Sequence, residues 1–298
     1  MHVVLRLELQ AQLGEGILWV TDPQTGLGRF FSVDIHGRNI HAFDENGQGL
    51  QTWPAPERVG WVVPTLAPGQ FLAGFQSGFA TIRLGEALQV AQLTPAFSGR
   101  PQMRLNDACV DANGVVWAGS LNCDDESRPD GVLFRLTHDG GLSVVDQRYC
   151  VTNGPAISPD NRLFLHTDSA RRTIFAFDFD AQRSAIAHKR IWKVLDESEG
   201  YPDGMCFDAA GNVWVAHWGA GLLSQFSSAA QLLQRVRLPV SNVTNMAFGG
   251  EKLDRLYLTT ARAGLSAEQL LNEPLAGAVF EITGHGAVGL TSGTFGSN

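Results

Sequence analysis

Tyr201-Pro202-Asp203-Gly204-Met205-Cys206-Phe207-Asp208-Ala209-Ala210-Gly211-Asn212-Val213-Trp214-Val215-Ala216 reads as a Pro-Asp-Gly turn, a short apolar strand, a glycine-bearing hairpin turn and a second strand carrying an aromatic residue. Proline presets one turn dihedral and glycine accepts positive φ, so the stretch predicts a stiff turn that holds Asp203. The same layout recurs along the chain, with Asn106 and Asn153 at the equivalent turns. A position that repeats while staying polar is where chemistry is expected.

Working outward, an apolar-aromatic strand after a turn occurs six times, marked by Phe31, Phe71, Trp117, Phe164, Trp214 and Tyr257, at spacings of 40, 46, 47, 50 and 43 residues. Each is followed by a second alternating strand, such as Gly131-Val-Leu-Phe134, Arg172-Thr-Ile-Phe175 and Gly277-Ala-Val-Phe280. Period-2 alternation suits half-buried antiparallel strands, and units of this length holding about four strands are propeller blades. The prediction is an all-β, six-bladed β-propeller forming one domain over residues 1–298. A strand near residues 3–9 has no partner in the first unit, so the two ends are expected to share one blade and close the ring. One short helix is predicted from Ser266 as N-cap with Gln269 three residues on.

Composition agrees with this reading. The chain has 33 glycines and only 17% charged residues, which suits many short strands and tight turns. Its formal charge of -8 comes without a basic run, which argues against a nucleic-acid partner. No apolar stretch reaches the ~20 residues of a membrane span, and the N-terminus lacks a leader-like apolar core, so a cytoplasmic location is expected. Cys109, Cys123, Cys150 and Cys206 form no CxxC pair and read as free thiols.

Stepping back 11 residues from the markers reaches Gly60, Asn106, Asn153, Asp203 and Met246, with Asn245 beside the last. In a propeller these belong to the innermost strands and form a ring at one mouth of the channel. Glu15, in Gly14-Glu15-Gly16, joins it if residues 22–28 form an enlarged hairpin loop. Two carboxylates and two amides converging from different blades suit Ca²⁺, Mg²⁺ or Mn²⁺, and less readily Zn²⁺ or Fe²⁺. Trp19 and Trp61 lie near ring positions and are expected as pocket walls, while Trp117 and Trp214 fill space between blades. Nucleophilic catalysis by Ser or Cys has no Gly-x-Ser-x-Gly elbow behind it. His166 and His217 read as core or wall histidines, with His217 bordering the pocket.

These segments resemble the senescence marker protein-30 (regucalcin)/gluconolactonase/luciferin-regenerating family of six-bladed propellers. The resemblance is carried by Leu13-Gly-Glu15-Gly-Ile-Leu-Trp19, Arg104-Leu-Asn106-Asp107, Trp117-Ala-Gly-Ser120, Asn153-Gly-Pro-Ala-Ile-Ser-Pro-Asp160, Pro202-Asp203-Gly-Met-Cys206, Phe248-Gly-Gly250 and Pro274-Leu-Ala-Gly277. It implies a divalent-metal site from Glu15, Asn153 and Asp203, substrate binding by Arg104, Asn106 and Asp107, and Asp203 as general base in hydrolysis of a sugar lactone. In part of the family an acid from the loop after the Asn106 blade also reaches substrate. Here that loop is residues 122–130, and its acids are left unassigned.

A lactone is an ester whose carbonyl a cation polarises, while a base at the same face activates water. Whether Asp203 acts on water directly or on a metal-bound water is left open. The competing readings are a metal- or ligand-binding propeller without catalysis and a broader-specificity lactonase or esterase.

Overall fold

The computed structural model describes residues 1–22 and 25–296. It is a ring of six four-stranded antiparallel sheets, so the chain is a six-bladed β-propeller. Blade 1 has strands Gly14–Thr21, Gly28–Asp34, Asn39–Phe43 and Gln51–Pro54; blade 2 has Val59–Pro64, Gln70–Phe75, Gly78–Leu84 and Leu88–Pro95. Blade 3 comprises Met103–Val110, Val116–Asn122, Gly131–Leu136 and Leu142–Tyr149; blade 4 comprises Thr152–Ile157, Leu163–Asp168, Thr173–Asp180 and Ala185–Val194. Blade 5 follows with Tyr201–Phe207, Val213–Trp218, Leu222–Phe226 and Leu232–Arg237. Blade 6 takes Val243–Gly249, Arg255–Thr260 and Val279–Thr283 from the end of the chain and His2–Leu7 from its start, the closure the unpaired N-terminal strand predicts.

The repeated aromatics have a common task. Every interface between neighbouring blades carries a ring pair: Phe31–Phe71, Phe79–Phe134, Trp117–Phe164, Trp192–Phe226, Trp214–Phe248 and, across the closure, Phe30–Tyr257. Centroid separations run from 4.1 Å for Phe30–Tyr257 to 6.1 Å for Trp214–Phe248, and such aromatic pairs add ~1 kcal/mol beyond their buried area. Asp111 and Asp208 hold the hairpins before two of these rings. Each accepts from backbone N–H groups of its own turn and from an indole, Trp117 Nε1 at 3.0 Å and Trp214 Nε1 at 3.1 Å.

One expectation needs correcting. Pro202-Asp203-Gly204 is not a turn before a strand but part of the innermost strand of blade 5, where pairing skips from Pro202 to Met205 as a bulge. The same interruption stands between Glu15 and Leu18, Val59 and Trp61, Leu105 and Ala108, Asn153 and Ala156, and Val243 and Met246. A bulge leaves residues unpaired and re-aims side chains, so six bulges at one level build the ring. The enlarged loop after Thr21 is present, closed by Asp22 N–H donating to Leu27 O at 2.8 Å; Pro23 and Gln24, within it, lie outside the described residues.

The helix Ala267–Asn272 has the predicted capping box: Gln269 N–H donates to Ser266 Oγ at 3.2 Å and Ser266 N–H to Gln269 Oε1 at 2.9 Å. The four cysteines are unbridged. Among the described residues no helix is long and apolar enough to cross a membrane.

Candidate active site

Beside the bulges of blades 1, 3, 4 and 5 a cavity of about 540 Å³ opens, lined by Glu15, Arg104, Asn106, Asn153 and Asp203 among others. The bulges bring them together in two ways. Asn106 and Asp203 are the first unpaired residues of their bulges, whereas Glu15 and Asn153 are the last paired residues before theirs. All five are buried, Arg104 at 4% exposure and the others at 5–6%.

Hydrogen bonds fix the orientation of the amides. Arg104 Nη1 donates to Asn106 Oδ1, and Asn106 Nδ2 donates to Asn153 Oδ1 at 2.7 Å and Thr152 O at 2.5 Å. Asn153 Nδ2 donates to Ser169 Oγ at 2.9 Å, and that hydroxyl donates to Pro202 O at 2.6 Å, next to Asp203. The chain of bonds thus runs from a guanidinium in blade 3 to the bulge of blade 5. Arg104 Nε is buried without a partner and belongs to a side chain on the cavity wall.

The carboxylates are poorly served by contrast. Glu15 Oε2 accepts from Gly16 N–H at 3.1 Å and Asn245 Nδ2 at 3.1 Å, while Asp203 Oδ1 is buried with no partner. Burial first, and the Asp107 charge second, push the Glu15 carboxyl up to about 8. Burial followed by the charges of Glu15 and Asp107 holds the Asp203 carboxyl well above the usual range. Crowded acids that lose their charge for want of a counter-charge form a site in which a cation restores ionisation. Among the described residues no three His, Cys, Asp or Glu side chains converge to hold a metal; the donors here are two carboxylates and amide oxygens. An all-oxygen, partly open set with an unpartnered Asp203 oxygen fits a hard divalent cation.

Several sequence expectations land elsewhere. Asp107 is not on this cavity; it lines a second one of about 440 Å³ further down the channel. The reason is the bulge, where adjacent Asn106 and Asp107 are both unpaired and reach opposite ends. Trp19 and Trp61 are not its walls either. Trp19 packs edge-on against Phe30 at 4.8 Å, and Trp61 packs near Phe79 and lines the lower cavity. The aromatic wall is Tyr201 and Trp218, directly opposite each other in blade 5. His217 is fully buried, its Nδ1 bonded to Glu199 O at 2.8 Å, and does not line the cavity.

Sequence reading missed Ser169, Tyr201, Trp218 and His36, all on the wall. Ser169 follows the Asp168 end of a second strand, a level that repeat alignment could have reached. The loop at residues 122–130 contributes Glu126 and Ser127 to the wall, so Glu126 is the acid of that loop that faces the site.

A closed ring of six blades with an acid–amide pocket at one channel mouth defines the chain as a six-bladed β-propeller with a polar cavity on its channel. The chain belongs to the SMP-30/gluconolactonase/LRE-like family, whose model matches residues 13–262. It is 31% identical to regucalcin of Danio rerio over 284 residues, covering 94% of this chain and 93% of the relative. It is 30% identical to pentonolactonase XacC of Haloferax volcanii over 261 residues, covering 88% and 86%. Its fold superposes on a luciferin-regenerating enzyme with a TM-score of 0.89 at 26% identity, over 99% of each chain.

Proposed function

We propose that this chain hydrolyses a sugar-acid lactone to the free aldonic acid with the help of a divalent cation. The observation that carries the reading is the convergence of Glu15, Asn153 and Asp203 with the Arg104–Asn106 pair on one cavity. Membership of a family with lactonase relatives supports the same reaction class.

Glu15, Asn153 and Asp203 would hold the cation, which when bound polarises the lactone carbonyl. Asp203 then removes a proton from the attacking water, whose oxygen adds to the carbonyl carbon; the ring C–O bond breaks and the leaving alkoxide takes up the proton that Asp203 removed. Arg104 supplies guanidinium donors, and Asn106, locked between Arg104 and Asn153, is held rigid beside it. Glu126 accepts from substrate hydroxyls, while Tyr201 and Trp218 offer ring surface to C–H faces of the sugar. This mixture of fixed polar groups with aromatic walls suits a polyhydroxylated lactone over a greasy one.

The test is proton release on a panel of aldonolactones and apolar lactones with Ca²⁺, Mn²⁺, Mg²⁺ or Zn²⁺, for the wild type and Asp203→Ala. General-base loss costs roughly 10²–10⁴-fold, so the variant should fall by at least that much while its melting curve stays cooperative. Full turnover by a folded, metal-bound Asp203→Ala protein would sink the mechanism. Turnover of no lactone by the wild type would sink the function.

A further inference from the structure

Two side chains on the lower cavity break the pattern of the ring. In blades 1, 2, 4 and 5 the bulge contains a glycine: Gly16, Gly60, Gly154 and Gly204. Each sits where a Cβ would collide with the next blade, Gly16 against Gly60 O at 2.8 Å, Gly60 against Asn106 O at 2.5 Å, Gly154 against Met205 N at 2.8 Å and Gly204 against Asn245 Cγ at 2.6 Å. Blades 3 and 6 have Asn106-Asp107 and Thr244-Asn245 instead.

These blades are three steps apart in a ring of six, hence on opposite sides, yet their side chains meet. Asn245 Nδ2 donates to Asp107 Oδ2 at 3.3 Å and to Glu15 Oε2 at 3.1 Å. Asn245 Oδ1 accepts from Met246 N–H at 2.7 Å, which turns the NH₂ toward the two carboxylates. Asp107 is anchored in turn by Ala108 N–H on Oδ1 at 2.8 Å and Gly154 N–H on Oδ2 at 2.9 Å. Asp107 and Asn245 line the lower cavity, and Glu15 lines the upper one.

We propose that Asn245 is a positioning residue for Glu15, with Asp107 as its anchor: one neutral amide spends its two N–H groups on two carboxylates, orienting Glu15 toward the upper cavity and closing the channel beneath it. An amide suits the place because it has two donors and no charge. Asp there would add a third anion, and Leu would fill the same space with no donor. That orientation matters to cation binding only if Glu15 is a ligand, so that part rests on the function proposed above.

Two measurements on Asn245→Leu, with Asn245→Ala read the same way should Leu fail to fold, separate the ideas. The first is a crystal structure of the metal-free variant, in which the Glu15 carboxylate should leave its wild-type position; an unmoved Glu15 overturns the proposal. The second is Mn²⁺ binding by calorimetry. Partners behind a ligand are typically worth 10–100-fold in affinity, and Asn245→Leu should weaken binding by that range. Adding Asp107→Asn should weaken it little further, because Asp107 acts through Asn245. Unchanged Mn²⁺ affinity in a folded variant, or fully additive losses, overturns the proposal. A displaced Glu15 together with no Mn²⁺ binding by the wild type supports the positioning role and overturns the reading of Glu15 as a ligand.

Discussion

Asn106 and Asn153 stand on adjacent blades and are joined at 2.7 Å, Nδ2 of the first donating to Oδ1 of the second. Neither amide is free to flip. Arg104 occupies Asn106 Oδ1, and Ser169 Oγ occupies Asn153 Nδ2 while donating onward to Pro202 O. Asn153 therefore presents its carbonyl, not its NH₂, on the Asn106 side of the cavity. Ser169→Ala removes the lock and leaves a buried N–H unpaired, a loss of about 1–2 kcal/mol in orientation. Roughly ten-fold lower kcat/KM is expected with a fall of a few degrees in melting temperature, read by steady-state kinetics at a temperature where the variant is folded, beside thermal denaturation.

His166 carries a different kind of prediction. It is fully buried, neither ring nitrogen has a partner, and Tyr149 packs edge-on at 4.6 Å. Burial holds its imidazolium down to about 3, with Asp146 opposing and Lys189 adding to the shift. The unfolded chain takes up this proton near 6.5 and the folded one does not, so stability is intact above about 6.5 and is lost as pH falls toward 3. The loss is on the order of a few kcal/mol. His166→Leu should flatten this part of the urea-unfolding profile between pH 6.5 and 4 relative to the wild type; parallel profiles would refute it.

The aromatic markers announced the fold because one physical demand, filling the wedge between blades, repeats six times at a regular spacing. Closure was readable for a related reason, since an N-terminal strand without a local partner must pair somewhere. The polar ring was reached through the same register. What could not be counted through was the bulge. Side chains alternate along a regular strand, but two unpaired residues suspend the alternation, and Asp107, which the family resemblance groups with Asn106 at the substrate, reaches the lower cavity instead. Trp19 and Trp61 follow the bulge, where regular pairing has resumed: Trp19 packs within the blades and Trp61 lines the lower cavity. Glu126 lies in a loop outside the repeat register, and only the folded chain brings it to the cavity; Ser169, one residue past a repeated second strand, needed that register carried to the strand's end.

Asp208 is expected to matter to stability without touching the site. Its carboxylate accepts from Ala210 N–H, Asn212 N–H, Trp214 Nε1 and Gln225 Nε2, at 2.7–3.1 Å. Asp208→Ala strands the indole and amide donors in the core at a cost of about 2–3 kcal/mol. A fall of roughly 5–10 °C in Tm is expected, with kcat/KM of the surviving folded protein unchanged. A parallel loss of activity at a temperature where the variant is fully folded would show that the hairpin reaches the ring.

The ring closure is the last point of leverage. Glu281, on the Val279–Thr283 strand, accepts from Arg6 Nε at 2.5 Å and from Arg255 Nε and Nη2 at 2.9 Å, so one carboxylate ties the N-terminal strand to the C-terminal part of blade 6. It is 4% exposed, and the two arginines retain 21–26% of their side-chain exposure. Removing the shared partner leaves two half-buried guanidinium groups facing each other. Breaking a buried pair costs about 3–5 kcal/mol, and partial hydration of the arginines places Glu281→Leu near about 2–3. Hydrogen exchange should locate the damage, with the amides of His2–Leu7, the outermost strand of blade 6, losing protection before the outermost strands of the other blades. Asp178→Asn is the control. Asp178 holds His188 and Arg190 by equally short contacts of 2.7 Å but in the open, where screening and side-chain entropy consume the gain, so its Tm should not move. Equal effects of the two substitutions would mean that the seam is held by strand pairing alone, with the Arg6–Glu281–Arg255 cluster adding nothing to it.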